Sequence, residues 1–159
     1  VYERIRDLVL RAHPWSCARK RAQIAAEEDA PEFGWSYAYE LPADSLRLLD
    51  AFSSTDEADR LLPTEYTVED GKILTDATSP VYVKYIRQVT DPNEMDPLLR
   101  EAISARMATE LCEAWDQSMS KKEALYTIYQ AKLQEARSID GQENPNPQIR
   151  SCDWLDARN

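Results

Sequence analysis

A chain of 159 residues suits one domain, and folding at that size buries roughly 70% of the extended chain's surface. Hydrophobic content of 43% beside 30% charge fits a globular protein, and no apolar run approaches the ~20 residues of a membrane-spanning helix. Against 19 Lys and Arg stand 29 Asp and Glu. A net charge of −10 repels a phosphate backbone, which argues against tight nucleic-acid binding across the whole molecule.

The charge is unevenly spread. Residues 1–26 carry +4, residues 27–70 carry −11 and the remainder −3. Cys17, Cys112 and Cys152 are odd in number and widely spaced, with no CxxC. That pattern points to buried free thiols in a reducing compartment rather than a zinc site or disulfide framework. The first residues show no charged-then-apolar signal pattern, and a chain that opens on Val1 is expected to lack its natural start.

Tyr2 to Ala12 reads as a helix, with Ile5, Leu8, Val9 and Ala12 recurring on one face. Pro14 stops it and pushes His13 toward extended geometry. Then follows WSCARKRAQI, a strand leaving the helix, and the acidic loop EEDAPE. WSYAYEL alternates, with Trp35, Tyr37, Tyr39 and Leu41 on one face, as in a half-buried strand that Pro42 ends. After the apolar run Leu46 to Phe52 and a polar loop, YTVEDGKILTD carries the Asp70-Gly71 turn of a hairpin. Val81 to Val89 makes another strand.

Beyond TDPNEMDP the period changes. Leu99, Ile103, Met107, Leu111 and Trp115 step by four along a helix over 98–117. Ser120 and Glu123 form a capping box for a second helix over 121–139, and Gly141 supplies its stop. A short link between the two predicts antiparallel packing. The expected class is therefore α+β: an antiparallel long-helix bundle with a small antiparallel β region over 15–89, all within one domain over 1–141. An extended tail over 142–159 follows, whose Ile149, Trp154 and Leu155 either fold back on the domain or dock onto a partner.

Little here points to catalysis. His13 is the sole histidine, so any Ser-His-Asp or Cys-His site must use it, and no G-x-S-x-G presents a nucleophile. Gly34, Gly71 and Gly141 lie too far apart for a phosphate loop. No HExxH or EF-hand spacing occurs, and the expectation is a non-enzymatic protein without cofactor or metal. Two other readings compete with a structural one. Trp15, Arg19, Lys20 and Arg21 could form a small monomeric nucleic-acid-binding module, and His13 with an acidic partner a small hydrolase.

YERIRDLVLRAHPWSCARKRAQIA resembles the helix-then-strand signature of head-to-tail connector adaptors from short-tailed bacteriophages, the tail tubular protein A group. The matching positions are Tyr2, Arg6, Asp7, His13, Pro14, Trp15, Ala18, Arg19, Lys20 and Arg21. YAYELPADSLRLL is similar to the family's Tyr-x-LP-x-D-x-L-R strand. VYVKYIRQVTDPNEMDPLLREAISARMATELC is similar to its Y-I-x-x-x-x-D-x-x-x-x-D-P strand and the alanine-rich helix after it. The pieces cover nearly the whole chain in order. Two departures stand out: members begin with a further helix carrying an Ala-Leu-x-x-Ile-Gly pattern, and Cys17 stands where the family often has an aromatic.

The resemblance implies a virion protein of the phage neck: a dodecameric ring seated between the portal and the tail nozzle or tube, with genomic DNA passing through its lumen without specific binding. It also implies that the tail reaches the portal. On this reading Arg11, Arg19, Lys20, Arg21, Ile149, Arg150, Trp154 and Leu155 are candidates for subunit or portal contacts. Glu27, Glu28, Asp29, Asp56, Glu57 and Asp59 are candidates for an acidic face on the lumen or rim, so that the basic segment meets a neighbour's carboxylates.

Overall fold

The computed structural model describes residues 1–54, 61–115 and 118–143. Three helices, α1 (Tyr2–Ala12), α2 (Pro97–Trp115) and α3 (Met119–Glu143), enclose seven strands in the chain. The strands are β1 (Arg19–Ile24), β2 (Tyr37–Glu40), β3 (Ser45–Ser54), β4 (Leu61–Pro63), β5 (Thr67–Glu69), β6 (Lys72–Thr75) and β7 (Val81–Arg87). They form two antiparallel sheets, a four-stranded one in the order β1-β7-β3-β4 and a three-stranded one in the order β2-β6-β5. The class is α+β.

Alternation on β7 divides the interior in two. Val81, Val83 and Tyr85 meet Tyr39 of β2, Ala51 of β3 and Ile73 of β6 in a core between the sheets. Ile86 and Val89 belong instead to a helical core with Ile5, Val9, Leu10, Trp15, Leu99, Ile103 and Ala136. On β3 the register shifts between Ser45 and Arg47 and again between Leu48 and Asp50. These bulges break strict alternation, so Leu46 and Leu49 pack on the helical core while Leu48 faces the sheet core.

The hairpin forms as expected, with Asp70 at φ 48° and Gly71 at φ 72° between β5 and β6, the positive-φ pair that matches the strand twist. His13 caps α1 in extended geometry, φ −144° and ψ 146°, as Pro14 demands.

The helical part differs from the long-helix bundle expected. α2 and α3 pack as a pair, antiparallel by the approach of Lys132 to Glu101 and of Arg106 to Tyr126 and Tyr129, while the eleven-residue α1 lies against α2 and β3. Wedged between those two surfaces, α1 buries Ile5, Arg6, Val9 and Leu10, whereas Leu8 is half exposed. The tail over 144–159 lies outside the described residues.

Two end signals were read wrongly. Ser120 sits inside α3, which begins at Met119, and α3 runs through Gly141 to Glu143. A glycine ends a helix by adopting positive φ, and only Gly34 and Gly71 do so among the described residues. The cysteines are also less enclosed than expected: Cys17 and Cys112 are free and only partly buried, and Cys152 lies outside the described residues.

Candidate interaction surface

The basic segment begins in the helical core. Trp15 is 1% exposed, and its indole Nε1 donates to the Val9 carbonyl at 3.0 Å, so a ring with a polar edge is buried without an orphaned donor. His13 meets Trp15 edge-on at 4.6 Å and lies 3.3 Å from Asp140 Oδ2. The other Asp140 oxygen accepts from the Ser16 backbone N–H at 2.7 Å, tying the last turns of α3 to the turn before β1. Burial lowers the His13 pKa, and Asp140 opposes that shift without reversing it.

From there the cations diverge. Arg11 donates to the Leu46 carbonyl at 3.0 Å, and Arg19 to Ser16 Oγ at 2.8 Å. Lys20 donates to Asp44 Oδ2 at 2.8 Å, while Tyr85 Oη donates to Asp44 Oδ1 at 2.9 Å. Lys20, foremost, and Tyr85 hold the Asp44 carboxyl below its ordinary pKa. Arg21 is exposed and has no ion-pair partner among the described residues. Trp15 therefore stands apart from the three cations that follow it, and those alternate across β1. Arg11, Arg19 and Lys20 make contacts within their own chain, where the sequence had marked them for a partner.

The residues behind the family resemblance are linked to one another. The Arg6 guanidinium lies 5.7 Å from the centroid of the Tyr2 ring, and its Nε donates to Asp7 at 2.8 Å. Asp7 also accepts from Gln88 of the third segment at 2.7 Å. Lys20 of the first segment pairs with Asp44 of the second. Asp96, the acid of the DP pair, accepts from the Leu98 N–H at 2.8 Å and caps α2.

Among the acids, Glu27 pairs with Lys72 at 2.7 Å, and Glu28 and Asp29 are exposed. Asp56, Glu57 and Asp59 lie outside the described residues, as do Ile149, Arg150, Trp154 and Leu155. The structure adds surfaces that the sequence did not single out. Phe33 is 86% exposed, Trp115 88% and Met119 68%.

Among the described residues, the face of β1, β7 and β3 turned away from the sheet core is covered by helices only at its Ile86 end. Past that cover, Gln23, Tyr82 and Phe52 stand side by side in register, next to Arg21, Lys84 and Asp50. Tyr82 and Phe52 floor a shallow cavity of about 370 Å³, with Arg21, Gln23 and Lys84 among its walls. Its visible sequence signal was only the alternation of β7 once β7's inner face is known.

Among the described residues there is no group of three or more His, Cys, Asp or Glu able to hold a metal, and no helix long and apolar enough to cross a membrane. No protein-family model and no curated protein sequence matches the chain.

Proposed function

We propose that the chain is a non-catalytic structural subunit, a head-to-tail connector adaptor whose copies close into a ring between portal and tail nozzle or tube. The observation that carries this reading is the set of large apolar side chains held in water at both ends of the fold. Phe33 stands in the loop beyond the sheets, and Trp115 and Met119 flank the turn between α2 and α3. Scattered exposed leucines are ordinary, but a tryptophan left bare at a helix end and a phenylalanine left bare on an anchored loop are what an assembling surface supplies. The interlocking of the three quoted segments further supports reading them as one structural unit.

In the ring, helices of neighbouring copies or of the portal would complete the bundle begun by the α2–α3 pair and cover Trp115. The −11 section would furnish acids to the channel wall, where they repel DNA phosphates and let the duplex slide.

Light scattering on the chain, alone and with the portal protein of its virion, tests the reading together with axial electron micrographs. Annular particles with a central opening are the expected result. A monomer in both samples refutes it.

A further inference from the structure

We propose that the contact between copies is made by the Phe33 loop of one subunit entering the groove of Phe52 and Tyr82 on the next. This rests on the ring-building reading above and names the surfaces that join. The loop over 27–36 contains Glu27, Glu28, Asp29 and Glu32 and no basic residue. Glu27 is occupied by Lys72, while Glu28, Asp29 and Glu32 are exposed beside Phe33. Gly34, at φ +86°, turns the chain directly after Phe33 and leaves the ring 86% exposed at the head of an acidic projection. An aromatic flanked by carboxylates asks for an apolar pocket with a cationic rim.

The groove has that form. Its floor is aromatic, from Tyr82 and Phe52, and its rim holds Arg21 and Lys84 with the amide of Gln23. Arg21 has no ion-pair partner among the described residues, and Lys84 is only 4.0 Å from Asp50, a contact open to water. Two cations facing three exposed carboxylates give the charge match, and the aromatic ring supplies the apolar anchor.

Within its own chain the loop is fastened at both ends. The Glu27 backbone N–H donates to the Ala38 carbonyl, Ser36 bonds Asp76, and Lys72 holds Glu27. These contacts bind the loop to the β2-β6-β5 sheet. That sheet covers the face of β1, β7 and β3 opposite to the groove. Loop and groove are different patches of the surface, so the contact between copies is heterologous and propagates from copy to copy until it closes.

Phe33→Ala removes the insert, and Arg21→Glu with Lys84→Glu reverses the rim; all three positions face solvent or the open groove. Analytical ultracentrifugation of the full chain is expected to show each variant associating on the order of tenfold more weakly than the parent, or not at all. Mixing the two variants should then give a heterodimer and nothing larger, because the mixture holds one intact groove and one intact loop per pair. Rings from either variant as stable as the parent's overturn this contact and leave the ring reading standing. A mixture that gives no heterodimer, or rings, also overturns it, since the first removes the complementarity and the second the dependence. A parent that stays monomeric both alone at millimolar concentration and with the portal protein overturns both readings, and where it assembles only with the portal the same comparison of variants is made in the portal's presence. Loss of assembly on deleting residues 146–159, with both variants unaffected, would give the role to the C-terminal segment instead.

Discussion

Asp140 joins the end of α3 to the turn before β1, and its removal has a cost that can be worked from the geometry. The carboxylate is 8% exposed, so solvent screens it little. Its bond from the Ser16 N–H is 2.7 Å and its contact with His13 is 3.3 Å. A hydrogen bond to a charged acceptor contributes about 1.5–3 kcal/mol, and the longer, weaker contact from the imidazole about 0.5 kcal/mol. Asp140→Ala is therefore expected to destabilise by about 2–3.5 kcal/mol. With a urea dependence of about 2 kcal/mol per molar for a domain of this size, the unfolding midpoint falls by about 1–1.8 M. Asp140→Asn keeps an oxygen toward Ser16 and should cost about 1 kcal/mol. Urea titrations followed by tryptophan fluorescence and by far-ultraviolet circular dichroism measure both variants. A midpoint for Asp140→Ala within about 0.2 M of the parent, or Asn as damaging as Ala, would refute the reasoning.

Burial, reinforced by Arg137 and Arg19, holds the His13 pKa below its ordinary value against the pull of Asp140. The unfolded chain then takes up the His13 proton first as pH falls, so this group's contribution is whole above about 6.5 and is lost on acidification below it. His13→Asn should flatten the difference in urea midpoint between about pH 7 and pH 5; an unchanged slope would count against the burial argument. Trp15→Ala opens a cavity in the helical core and is expected to cost about 3–5 kcal/mol. Trp115→Ala, at a site 88% exposed, should stay within about 0.5 kcal/mol. Thermal unfolding separates the two, and comparable losses would show that Trp115 is packed.

The local elements were legible where one residue type decides the backbone. Asp70-Gly71 fixed a hairpin, and His13-Pro14 fixed the end of α1. Burial was less legible, and α2 shows why. Leu99, Ile103, Met107, Leu111 and Trp115 look like one stripe, but a step of four advances about 40° past a full turn. Over sixteen residues the stripe winds nearly halfway round the helix, so Leu99 is fully buried and Trp115 is 88% exposed. In α1 the half-exposed Leu8 and the buried Leu10 exchanged roles because two surfaces flank that helix. The groove of Phe52 and Tyr82 shows in the sequence only as the alternation of β7, since its full outline needs the register of three strands and two bulges on β3. Phe33 was visible in the sequence, but loop residues carry no periodicity from which exposure follows.

The helical core unites Ile5 and Val9 with Leu99, Ile103 and Ala136, residues separated by most of the chain. The sheet core is complete by Tyr85. During synthesis at roughly 5–20 residues per second, the sheets can therefore form while α1 still waits for its partners to leave the ribosome. For those seconds the apolar side of α1 lacks the α2 and α3 residues that cover it in the finished fold. Order of emergence, and not only final stability, thus shapes how much of this protein reaches its folded form.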